Sequence, residues 1–144
     1  MTPDPERPHV VRLLEWYLLA LGILLIAQGA GSIVRRAIAY SGPWLVNGLL
    51  NADPLHAAIH IAWGSVMVGM ILLRGNALRV TGLALVFGVF YVGLAILGVA
   101  VYHPFGLQLN AFENAFHWTV GPLTLGLGLA ALRSFRFRLV VTGS

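Results

Sequence analysis

The chain has 144 residues, 58% of them hydrophobic and only 10% charged, well below the roughly 25% charge that covers a soluble domain. A mean hydropathy of +0.84 predicts that most of its solvent is lipid, and the absence of cysteine excludes disulfides, thiolate metal sites, iron–sulfur clusters and cysteine nucleophiles. The formal charge of +4 sets nine basic residues, all of them arginine, against five acidic ones. The arginines sit at the ends of apolar runs rather than in a stripe, so they read as topology signals and membrane-surface anchors, not as a nucleic-acid surface.

The opening residues MTPDPERPH are polar and proline-rich. They lack the basic start, short apolar core and small-residue cleavage site of a leader, so the first apolar segment, Leu13–Val34, is expected to stay as a helix. The connection after it, YSGPWLVNGLLNAD, is itself apolar, and with Trp44 in it is expected to lie in the membrane interface. Arg35 and Arg36 before it are expected to meet an anionic lipid headgroup or nearby carboxylates. Gln28, in the middle of the first segment, is expected to bond to a neighbouring helix.

The second segment is Pro54–Leu73, followed after a tight connection by a third, Val80–Tyr102, and a fourth, Phe112–Leu132. Each of the four is close to the roughly 20 residues a helix needs to span a bilayer. The predicted fold is therefore all-α: one domain, an integral membrane bundle of four transmembrane helices. Arg7, Arg12, Arg74, Arg79, Arg133, Arg136 and Arg138 fall on one side of such a bundle. By the positive-inside rule both termini are cytoplasmic and the protein is a multi-pass cell-membrane protein. The tail RSFRFRLVVTGS, alternating arginine with aromatics, reads as a cytoplasmic interface anchor. His103, beside Pro104, reads as an interfacial loop residue.

A pseudo-repeat relates the second and fourth segments. At a shift of 57 residues Asp53 falls on Asn110, His56 on Glu113, His60 on His117 and Gly64 on Gly121. Asp53 and Asn110 are N-cap residue types and Pro54 suits a first helical position. Residues four apart share a helix face, so His56 with His60, and Glu113 with His117, each form a pair continued by a glycine. The four polar groups are expected at matching depth near the extracytoplasmic ends. Gly64 and Gly121 below them are expected to let the two helices approach closely. Gly22, Gly29, Gly31, Gly82, Gly88, Gly93 and Gly98 also read as close-packing positions.

Ionisable side chains inside a membrane face the bundle interior and pair. Three imidazoles and a carboxylate on facing helices make a transition-metal site for zinc, copper or iron. The plainer alternative is a hydrogen-bonded cluster without metal, in which Glu113 only closes a capping box with the start of its own helix. A further alternative uses His60 and His117 alone, as ligands of haem b or of a chlorophyll-type pigment in a redox or photosynthetic accessory subunit. The leading reading is a non-enzymatic membrane protein, a homo-oligomer or a subunit of a larger membrane complex. A small oligomeric transporter is the remaining alternative, although no polar path runs through the first and third segments beyond Gln28.

Two motifs carry a resemblance. His56, His60 and Gly64 form His-x-x-x-His-x-x-x-Gly at the start of the second span; Asn110, Glu113, His117 and Gly121 form Asn-x-x-acid-x-x-x-His-x-x-x-Gly at the start of the fourth. In these, and in its four-span plan from about Leu13 to Leu132, the chain resembles the domain-of-unknown-function 4383 family of small bacterial membrane proteins. It departs in having glutamate where that family more often has aspartate, and in a short first loop. The resemblance implies the four-helix fold and a membrane location, and no activity.

Overall fold

The computed structural model describes residues 8–51, 53–101 and 104–142, with the side chains of 104 and 136–142 outside that description. It is all-helical, with no strand among the described residues: α1 (His9–Ala37), α2 (Trp44–Leu49), α3 (Pro54–Leu72), α4 (Ala77–Ala100), a 3-10 turn at Pro104–Gly106, and α5 (Ala111–Thr142). Four of these, α1, α3, α4 and α5 up to Phe135, are long and apolar enough to cross a membrane. The shortest, α3, has 19 residues, or about 28 Å at 1.5 Å per residue, enough for a hydrocarbon core of about 30 Å. Large apolar side chains such as Trp16, Leu73 and Val99 point outward and exposed, which suits a lipid surround. The protein is a multi-pass membrane bundle.

Several boundaries differ from expectation for local reasons. α1 starts at His9 rather than Leu13, on a Pro8 cap, because proline's fixed φ suits the residue before a first turn. α4 starts at Ala77 rather than Val80, since Asn76 Oδ1 accepts the Arg79 N–H at 2.8 Å. The backbone of α5 continues helically through the tail that reads as a separate anchor. The side chains of Arg136 and Arg138, and the expectations placed on Arg7, Tyr102 and His103, lie outside the described residues.

The first loop holds a helix that hydropathy alone does not reveal. Within it, α2 lies against the start of α5, with the Trp44 and Phe112 rings 5.4 Å apart. Any side chain at Gly48 would run into the Phe112 ring. Arg35 turns toward backbone carbonyls rather than toward a carboxylate. Its guanidinium donates to the carbonyls of Tyr40 (3.2 Å), Asn47 (3.4 Å) and Leu50. The carbonyls at a helix C-terminus lack intrahelical partners and favour a cation, so Arg35 closes the end of α2.

The long helices pack as two pairs, α1 along α3 and α4 along α5. Glycine makes each seam. A Cβ added at Gly64 would sit 2.5 Å from the Gly22 carbonyl oxygen, and one at Gly29 would sit 2.6 Å from that of Ala57. In the other pair, a Cβ at Gly88 would meet Leu125 N at 2.7 Å and one at Gly121 would meet Val92 N at 2.8 Å. This corrects the expectation that Gly64 and Gly121 join the second and fourth segments to each other. Each of them brings its helix against a different neighbour, because periodicity fixes a face without naming what the face meets. Gly82 and Gly93 also read as packing positions, but a methyl group placed on either would meet nothing within 4 Å.

At the end of the bundle away from α2, the core is apolar: Val11, Leu14, Leu18, Met67, Ile71, Val80, Ala84 and Ala131 are all buried. A side-chain hydrogen bond links α1 to α5 across it. Thr124 Oγ1 donates to the Val120 carbonyl at 2.7 Å, so the Tyr17 hydroxyl, 2.7 Å from that oxygen, is the donor to it.

Candidate metal centre

The polar groups of the sequence gather at the other end, between the two helix pairs. The starts of α3 and α5 are held by their caps, and the caps also tie the loops together. Asp53 Oδ1 accepts from Leu55 N at 2.9 Å while its Oδ2 accepts from Gln108 N at 3.0 Å. Asn110 Oδ1 accepts from Glu113 N at 3.0 Å while its Nδ2 donates to the Gly48 carbonyl at 3.1 Å. With both starts fixed, His56 lies in the first turn of α3 with His60 one turn on, and Glu113 lies in the first turn of α5 with His117 one turn on.

All four side chains are buried, His117 completely. The rings of His56 and His117 are 5.6 Å apart and those of His60 and His117 6.5 Å, so residues from α3 and α5 meet across the seam as expected. His56 Nε2 and His60 Nε2 are 3.0 Å apart, one N–H donating to the other's lone pair. One nitrogen from each of His56, His60 and His117 can be chosen so that all lie within 4.8 Å of one another. Nitrogens about 2.05 Å from one tetrahedral ion stand about 3.3 Å apart, so small ring rotations would bring three of them onto a common centre.

Glu113 takes a different place from the one its sequence position suggests. The three histidines form the converging group, and the carboxylate lies behind His56, its Oε2 3.0 Å from His56 Nδ1. That is ion-pair distance, without the alignment of a hydrogen bond. The same oxygen accepts from Asn51 Nδ2 at 3.1 Å. Glu113 therefore does not close a capping box; Asn110 caps its N–H, and its side chain turns inward. A carboxylate behind a histidine, on the nitrogen away from the ion, is how metal-binding imidazoles are oriented.

Tyr91 of α4 belongs to this cluster, although nothing in the spacing of the motifs points to it. Its ring stacks near His60 (6.3 Å) and meets His117 edge-on (5.0 Å). It is fully buried, and its hydroxyl has no hydrogen-bond partner among the described residues. Its one signal in the sequence is a phenol inside an apolar helix, four residues after Phe87. Tyr91 and Phe87 stack at 4.0 Å, and Trp63 meets Phe87 edge-on at 5.3 Å. This aromatic layer separates the histidines from the apolar end. Gln28 of α1 bonds as expected to a neighbour, donating to the Leu49 carbonyl of α2 at 3.0 Å.

Comparison with known proteins gives no match: no family model, no curated protein and no solved structure matches the chain.

Proposed function

We propose that His56, His60 and His117 bind one transition-metal ion, and that the protein is a membrane metal-binding protein. One observation carries this reading. Both ring nitrogens of His117 are buried without a hydrogen-bond partner among the described residues. A neutral imidazole always holds one N–H and one lone pair, and leaving either buried and unmet costs about 1–3 kcal/mol. A hydrogen-bonded cluster without metal would have supplied a partner. An ion would take the lone pair, and the same ion would draw together the nitrogens of His56 and His60.

In this reading Glu113 orients His56, and Asn51 holds Glu113. Three imidazoles leave a fourth position open, and the unpartnered Tyr91 hydroxyl stands in the same cluster to meet what fills it. The donor set suits zinc, copper(II) or iron. Haem held by His60 and His117 has less support, because His60 Nε2 already meets His56. The two histidine motifs support kinship with the domain-of-unknown-function 4383 family. Arg12, Arg74, Arg79 and Arg133 lie at the end away from α2, which supports cytoplasmic termini and an extracytoplasmic metal centre.

Elemental analysis of detergent-purified protein tests the reading. The expected result is about one transition-metal ion per chain, lost in His60→Ala and in His117→Ala while both variants keep a cooperative thermal transition. Protein that takes up no stoichiometric zinc, copper or iron, even after incubation with each ion, sinks it.

A further inference from the structure

A cavity of about 360 Å³ opens beside the histidine cluster, lined by α1, α2 and α5. Its size falls within the range of small-molecule sites. Leu24, Leu49, Phe112 and Phe116 supply apolar walls, and only Gln28 and Glu113 are polar. Leu24 and Leu49, on its rim, are about half exposed. Two of its three lining elements, α1 and α5, are long and apolar enough to cross a membrane, so its mouth would face lipid.

The polar end of the cavity has a definite chemistry. Glu113 is 3% exposed. Its Oε2 is taken by Asn51 and His56, whereas no described residue donates to its Oε1. Gln28 spends its Nε2 on the Leu49 carbonyl, and no described residue donates to its Oε1 either. The buried Glu113 thus lines the cavity with an acceptor that has no donor among the described residues, and the half-buried Gln28 offers a second beside it. Acceptors in an apolar wall select ligands that donate. A carboxylate or phosphate headgroup would bring negative charge against Glu113 and be repelled; a hydroxyl would satisfy it.

We propose that this cavity binds a neutral, hydroxyl-headed lipid-soluble molecule from the bilayer, its hydroxyl donating to Glu113 and its apolar part leaving between α1 and α5. The binding does not depend on a metal at the histidines. It does place the hydroxyl head on the carboxylate that contacts His56.

The test is photolabelling of the full chain in phosphatidylcholine nanodiscs, with hexadecanol carrying a diazirine on its chain. Hexadecanoic acid with the same diazirine is the paired probe. The alcohol should label peptides containing Leu24, Leu49 or Phe116, and excess plain hexadecanol should remove that labelling. The acid should label these peptides several-fold less. Ala27→Phe fills the cavity from an exposed wall position and should abolish the competable labelling. Glu113→Leu should weaken it at least about tenfold, the scale of one lost hydrogen bond to a charged group. Labelling that spreads equally to exposed positions such as Leu72 and Leu73, or survives Ala27→Phe, overturns the proposal, as does equal labelling by the acid. The measurement is repeated on chelator-treated protein and is read the same way, so a missing metal leaves this result standing on its own.

Discussion

The two ends of the bundle are built from the same four helices and do different things. Away from α2, buried side chains are apolar, and the few polar ones among them are satisfied: Tyr17 by Thr124, Thr124 by Val120, and Thr81 Oγ1 by the Ala77 carbonyl at 2.8 Å. At the α2 end, buried carboxylates and histidines and half-buried asparagines replace aliphatic residues, and some buried atoms have no hydrogen-bond partner among the described residues: both nitrogens of His117, the Tyr91 hydroxyl, and the amide oxygens of Asn47 and Asn114. A chain that needed only to hold together in lipid could repeat its apolar end twice. Buried polar groups left partly unmet cost stability, and under the proposed function a ligand at the α2 end would recover that cost.

The contrast breaks most visibly at the apolar end. Leu18 is fully buried there. Leu18→Ala should lower unfolding stability in detergent by about 2 kcal/mol, the low end of the range for such truncations, because lipid chains are as apolar as the core and mainly packing is lost. Metal content should not change. If metal is lost with Leu18→Ala, the two ends are not independent.

At the other end Glu113→Gln should do the reverse. It keeps shape and the contact with Asn51, but removes the charge behind His56. Metal affinity, measured by chelator competition, should fall about 10- to 100-fold, with the thermal transition of metal-free protein little altered. Unchanged affinity would remove Glu113 from the metal's surroundings.

The smallest and sharpest comparison is between two phenols. Tyr17→Phe deletes a hydroxyl that donates a hydrogen bond and should cost about 1 kcal/mol. Tyr91→Phe deletes one with no partner among the described residues, and should leave metal-free protein equally or slightly more stable, while changing the absorption spectrum of the copper(II)-loaded form. Equal losses from both substitutions would mean that the Tyr91 hydroxyl is already satisfied.

Much of this is legible in the chain. Four apolar runs mark the spans, and the caps Asp53 and Asn110 mark the starts of two helices. Spacing then puts His56, His60, Glu113 and His117 at one depth. What is not legible has a common cause. Helical periodicity says which residues share a face, but the facing partner is set by packing over distances in sequence that no local pattern records. Gly64 and Gly121 therefore match each other in spacing and yet serve separate seams. Asn51 lies in a loop with nothing to mark it. Tyr91 is hidden among apolar neighbours, its role visible only once α4 lies beside the histidines. The six-residue α2 is too short for its periodicity to stand out from an apolar loop.

The stitching of the two loops has a consequence for how the molecule is made. Asp53 to Gln108, Asn51 to Glu113 and Asn110 to Gly48 join residues 55 to 62 positions apart. All of them wait for the connection that leads into the last helix, and the bond from Asn51 to Glu113 waits for the last helix itself. The histidines of α3 reach the membrane first and wait, incomplete, for His117. If the three histidines hold an ion as proposed, its loading is a final step of biogenesis: an ion offered early would meet only His56 and His60, and a chain stalled before α5 would expose that half set to the wrong partners.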